Sequence, residues 1–317
     1  MEDYDDSLRQ WVPGDDVVAH NGDPLPEDLD FFADPPEEIG EVHTAWSTLT
    51  DGKAPWGVML RLIFAAMLGG ASFLALFLLF HFVFDWSPLV SGLGAVIGSA
   101  VVGVVTIIAT GFRGACTYVG EAGIARLVFK GERTDVETEL LFLFDEAAEL
   151  RTSQTVNYTN GVYTGTNYNF VWSAANQKKV ATLQGSYHSE NGTPAAKDPY
   201  CFAQAAENAW SQQYLDHAQA ELEKSGAISF ALTGKDKVRV GPGFIELIQG
   251  GKKDRLDADD VQEVSLHDGQ FTVKRVGAKS GFLGIGKSGI FTFNYSQMAN
   301  ARVFLLAIDM LVGLQVN

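Results

Sequence analysis

Two stretches near the start of the chain stay apolar on every face that a helix would present. Leu62–Phe84 and Trp86–Phe112 carry no formal charge, and at 1.5 Å per residue each is long enough to cross the roughly 30 Å hydrocarbon core of a bilayer. Asp85 and Pro88 mark a turn so short that the spans, about 57–84 and 87–112, must be antiparallel neighbours: a transmembrane hairpin occupying 53–113. Gly69, Gly70, Gly94, Gly98 and Gly103 fall at four-residue spacing with other small residues. Such positions let helix backbones approach closely, within the hairpin or in a homo-oligomer. Trp56, Trp86 and Tyr118 are read as interfacial aromatics, and Arg61 as a cation that snorkels to the interface. Lys53, Arg61, Arg113, Arg126 and Lys130 flank the spans while the turn has no base. The positive-inside rule therefore predicts both termini in the cytoplasm.

After Phe112 the pattern changes to alternation punctuated by Gly, Asn and Asp. Strands are predicted at 124–130, 139–144, 162–172 and 179–184, with Asn160-Gly161 as a two-residue hairpin turn. Asp198-Pro199 opens a helix that Gly226 closes. More strands follow at 227–233, 238–241, 244–249, 261–267, 270–276 and 289–295, then a helix from about Ser296 to Gln315. Two β-domains each ending in a helix are expected, 114–225 and 226–317. Short internal matches link them: YVGEAGIARL (118–127) parallels RVGPGFIEL (239–247), and DEAAEL (145–150) parallels DDVQEV (259–264).

Charge changes the picture only at the N-terminus. Of 39 acidic residues 15 fall within 1–51, against the single base Arg9, so this segment accounts for −14 of the net −16. A Pro- and acid-rich segment buries too little apolar surface to offset its ordering entropy, so disorder is expected from Met1 to about Pro36 within an acidic tail, 1–52. A short helix is expected near Glu37–Leu49. The tail reads as a solvating segment or as an acidic ligand for the chain's own basic surface. Cys116 and Cys201 form no metal or disulfide pattern and read as small buried side chains.

Chemistry is sparse. GFLGIGKS (281–288) has the letters of a phosphate-binding loop, but the alternating GIFTFNY that follows predicts a strand where that loop needs a helix. A nucleotide-binding enzyme is the distant alternative. Phe282, Leu283 and Ile285 flanked by Lys279 and Lys287 instead suit a loop that dips into a bilayer. Lys252, Lys253 and Arg255, with bases at Lys235, Lys237, Arg239, Lys274 and Arg275, suggest a surface for anionic headgroups or an acidic partner. The Tyr/Asn/Thr-rich run 155–172 suits pairing with a partner strand. No catalytic, metal or cofactor constellation is read from the sequence, and no nucleic-acid partner is expected.

The stretches Gly243 to Glu263, Gly269–Val273 and Asn300–Leu305 resemble the bacterial pleckstrin-homology-like domains, and their tandem arrangement beside membrane spans is similar to a membrane-anchored family of unknown function. The resemblance covers about 113–317 and implies helix-capped β-sandwiches or partly open barrels with no catalytic residues. The expectation is thus an α+β chain: a membrane hairpin followed by two such domains. Its function would be non-enzymatic binding of lipid headgroups or a protein partner at a bacterial inner membrane. The alternative is an accessory subunit of a membrane transport or envelope complex.

Overall fold

The computed structural model describes residues 11–27, 29, 31–48, 58–110, 113–130, 136–189, 194–279 and 288–314. Two long apolar helices, α1 (Val58–Leu78, extended by a π-helical turn over Leu79–Val83) and α2 (Pro88–Ala109), pack as an antiparallel hairpin. Both are long and apolar enough to cross a membrane, and their surfaces are almost wholly open. Asp85, with φ 56°, turns the chain between them. His81 shares a hydrogen bond with the Trp86 carbonyl oxygen at 3.0 Å, and Phe80 stacks on Trp86 at 4.8 Å.

The hairpin interrupts a β-sheet. Strand β1 (Val42–Ser47) precedes it, and β2 (Arg113–Gly120), β3 (Gly123–Lys130) and β4 (Val136–Leu143) follow, yet β1 pairs antiparallel with β2 from Val42↔Gly120 to Ser47↔Cys116. The sequence reading differs here twice. The expected helix near Glu37–Leu49 is a 3-10 turn (Glu37–Ile39) and then a strand. Val42, Ala45 and Ser47 face inward and are buried, the spacing of a half-buried strand with a bulge at Val42/Thr44.

The segment before β1 is also ordered, against the expectation of disorder across 1–36, wherever the structure describes it. Trp11 packs edge-on against Phe32 and Tyr118, and Val17, Phe31, Phe32, Ala33 and Ile39 form one core with Cys116, Tyr118, Ala125, Leu127 and Phe129 of the sheet. Each large apolar side chain so buried contributes about 1.5–3 kcal/mol. Asp15, Asp16, Asp34, Glu37 and Glu38 stay in solvent between those anchors, so acidity does not prevent packing. Tyr118 is therefore not an interfacial aromatic: it is fully buried, and its hydroxyl donates to the Ala33 carbonyl at 2.5 Å.

The sheet's other face contributes Ile124 and Phe142 to a second core with a three-stranded sheet. That sheet comprises β5 (Glu149–Thr159), β6 (Val162–Ser173) and β7 (Lys179–Tyr187). Helix α3 (Pro199–Ser225) closes it. The Asp198 carboxylate accepts from the Tyr200 N–H at 2.9 Å, and Gly226 ends the helix at φ 73°. The plan of four strands, three strands and a helix then recurs with β8 (Ile228–Ala231), β9 (Lys237–Gly241), β10 (Phe244–Gln249) and β11 (Lys252–Asp257), then β12 (Val261–His267), β13 (Gln270–Lys279) and β14 (Ser288–Asn294). It ends in α4 (Ala301–Ala307) and a π-helical turn over Ile308–Val312. The final helix thus begins later than the expected Ser296. Phe230 and Phe271 meet Phe304 edge-on at 5.3 and 5.0 Å in the third core. One helix serves both domains: α3 packs Phe202 and Trp210 on the first and Ala218 and Leu222 on the second.

Candidate functional site at the domain seam

The basic residues expected to form a contact surface do not act alike. Arg255 stacks over Phe244 at 3.8 Å and pairs with Asp257 at 3.0 Å. Arg239 pairs with Glu246 at 3.0 Å, Lys274 with Glu263 at 2.6 Å and Arg275 with Asp254 at 3.4 Å. Their register explains this, since Arg239, Glu246 and Arg255 are cross-strand neighbours on the outer face of β9–β11. Lys252 and Lys253, with Lys235 and Lys237, form no ion pair among the described residues. Lys235 lies in the β8–β9 turn, Lys237 begins β9, and Lys252 and Lys253 begin β11, at one end of the sheet where the Gly250 N–H donates to the Asp236 carboxylate at 2.9 Å. Exposed lysines so placed keep their charge available to an anion.

The other predicted contacts lie elsewhere. Phe282, Leu283, Ile285 and Lys287 lie outside the described residues, and Lys279 ends β13 opposite Ser288. The segment after that loop is the strand β14, so the helix that a phosphate-binding loop requires does not follow it. In the hairpin, Gly69 faces the Ser99 carbonyl oxygen, Gly94 faces Phe80, Gly98 faces Leu76 and Gly103 faces Ala65. These four serve contact between α1 and α2, whereas Gly70 is exposed with open space around it. Arg61 turns inward and donates to the Ile107 carbonyl oxygen at 2.6 Å, a favourable cation at the C-terminal end of α2.

Arg151 joins the domains. Its guanidinium pairs with Glu149 at 2.7 Å, donates to the Gln177 side chain at 3.3 Å, and reaches across the seam to the carbonyl oxygens of Gln297 (3.3 Å) and Leu232 (3.4 Å). Leu232 opens the lysine-bearing β8–β9 turn, and Gln177 belongs to the β6–β7 turn, which carries Lys178 and leads into Lys179. Basic turns of both domains therefore converge on one arginine. Beside it an open polar cavity of about 330 Å³ is lined by Asn169, Ser173, Lys179 and Ser296 among others. No spacing rule links residues 151, 169, 179, 232 and 296, so the sequence reading missed this assembly.

His20 belongs to no sequence motif. It is buried, its ring nitrogens lie 2.8 Å from the Thr44 hydroxyl and 2.9 Å from the Thr117 hydroxyl, and its ring rests 5.1 Å from that of Phe202. Burial pushes its pKa down to about 3, so the neutral imidazole clips β1 to β2. Both cysteines are buried and free, and burial raises their pKa values. Among the described residues no group of three or more His, Cys, Asp or Glu side chains could hold a metal ion. No protein-family model matches the chain, and no curated protein matches it.

Proposed function

We propose that the chain is a membrane-anchored, non-enzymatic binding module. In this reading the α1–α2 hairpin holds two pleckstrin-homology-like β-domains at one face of the bilayer, where they bind anionic headgroups. The supporting observation for binding is the group of four lysines that form no ion pair among the described residues, at the β8–β9 and β10–β11 turns tied by Asp236 and Gly250. Support for the anchor is the place of the hairpin: inserted between paired strands, both its ends must leave the membrane on one side, beside Ser47 and Cys116. The basic flanks favour the cytoplasmic side of an inner membrane. The matching orders of strands and helices, with the paralleled segments 118–127 and 239–247 both spanning a strand, a turn and a strand, support a duplicated domain.

Full-length protein in nanodiscs of neutral or anionic lipid tests the reading by hydrogen exchange. Protection of 232–237 and 250–253 is expected only with anionic lipid at low salt, and its loss in Lys252→Glu/Lys253→Glu. Exchange indifferent to lipid charge would reject the headgroup reading. The open space around Gly70 on the outer face of α1 favours the second reading, a subunit that docks a partner helix. Fusions of a compartment reporter at Asn317 and Asp85 test orientation, with cytoplasm expected for the first and the opposite side for the second.

A further inference from the structure

We propose that the cavity beside Arg151 is a binding site for a polyol phosphate, distinct from the lysine turns of the second domain and independent of whether they bind lipid. The cavity holds about 330 Å³ at the low end of the range for small-molecule sites. Its floor is the outward face of β5 and β6, where Ser153 sits opposite Asn169 and Arg151 opposite Val171, and Ser296 of the second domain closes one side. On β6, Asn169 and Val171 alternate with the buried Tyr168, Phe170 and Trp172, so the same strand that fills the core supplies the floor.

The ligand class follows from which polar groups are already satisfied. Arg151 is paired with Glu149 and also donates to Gln177 and two carbonyl oxygens, so its charge is compensated within the wall. The uncompensated cation is Lys179, which forms no ion pair among the described residues. That calls for one anionic group. Asn169 also lines the cavity, and its amide offers both an acceptor and donors to a ligand hydroxyl. The hydroxyls of Ser173 and Ser296 can donate or accept. Among the described residues no aromatic ring lines the cavity, which disfavours a stacked base. One anion with several hydroxyls meets every one of these demands. A free glycerol phosphate and the headgroup of phosphatidylglycerol share that chemistry.

The test uses full-length protein in neutral detergent micelles, titrated calorimetrically with sn-glycerol 3-phosphate, and in nanodiscs with or without phosphatidylglycerol, followed by hydrogen exchange of 169–179. Saturable binding in micelles, stronger than that of inorganic phosphate or glycerol alone, assigns a soluble ligand. Protection that appears only with phosphatidylglycerol assigns the headgroup. In either case Lys179→Ala and Asn169→Ala should each weaken the effect about tenfold, as expected for loss of one buried or charged hydrogen bond. Lys178→Ala should leave it unchanged. Absence of both signals, or signals that neither Lys179→Ala nor Asn169→Ala alters, overturns the proposal.

Discussion

Asn300 and Leu150, half a chain apart, bond to each other twice: the Leu150 N–H donates to the Asn300 side-chain oxygen at 2.9 Å and the Asn300 N–H to the Leu150 carbonyl oxygen at 2.7 Å. The same side-chain oxygen accepts from the Trp210 indole at 3.1 Å. Asn300 is buried and holds φ 55°, a left-handed conformation that Asn tolerates better than most residues. It thus ties the first β-domain, the shared helix and the start of α4 at one atom.

Asn300→Ala should therefore destabilise the protein by about 2–4 kcal/mol, leaving two buried donors unpaired and adding backbone strain. Asn300→Gly removes the same bonds without the strain and should cost less. Denaturant titration of both variants checks the order. Equal stability of wild type and Asn300→Ala would show that the seam is not held by this residue.

The hairpin was legible because 20-odd consecutive apolar residues have few other uses, and most strands because alternation and turn residues agree. Asn160 and Gly161 both take positive φ, as their pairing implied. Strand β11, KKDRLD, was not legible: it buries only Leu256, and its charged face is held by the Arg255–Asp257 pair along the strand, by Arg255 over Phe244 and by Arg275 on Asp254, which sequence does not show. The N-terminal segment misled for a related reason. Its apolar anchors are separated by acids and prolines without a period, so they gain meaning only beside Tyr118 and Phe129. The seam cavity joins three residues each of β5 and β6 to Gln177, Lys179 and the distant Ser296, and no spacing in the sequence links those groups.

Acid should loosen the clip between β1 and β2. The folded state holds the pKa of His20 near 3, against 6.5 for an unshielded imidazole. Below pH 6.5 the unfolded chain then binds a proton that the folded chain refuses, so stability is complete above pH 6.5 and falls as pH drops toward 3. Between pH 6.5 and 5 the loss is roughly 2 kcal/mol from this group. Comparing wild type with His20→Gln by thermal unfolding over that range isolates it: the variant starts less stable and should lose less on acidification. Parallel curves would remove His20 as the source.

The two glycine faces of the hairpin should respond in opposite ways. A Cβ on Gly98 would collide with Leu76, whereas one on Gly70 meets nothing within 4 Å. Gly98→Val is expected to lower the detergent-resistant melting temperature by several degrees, in line with about 1–3 kcal/mol for overpacking. Gly70→Val should leave the isolated chain unchanged. A loss of oligomer in Gly70→Val alone would instead identify the outer face as a contact with a second copy.

The sharpest test of the architecture is covalent. Ser47 and Cys116 are register partners across β1 and β2, and the Cys116 thiol already donates to the Ser47 hydroxyl at 3.5 Å. Paired strands hold Cα atoms about 4.5–5.5 Å apart, within the span that a disulfide bridges. Ser47→Cys should therefore oxidise with the native Cys116, closing a loop that contains the whole hairpin. Both residues are buried, so oxidation will need a small oxidant and time, and reduction should be slow. Cleavage at Lys53, in the segment between β1 and α1, then gives a direct readout by gel. Fragments that stay joined without reductant and separate with it fix β1 beside β2. Fragments that separate in both conditions would detach the N-terminal segment from the first β-domain. The hairpin would then be a simple anchor ahead of that domain and no longer an insertion within it.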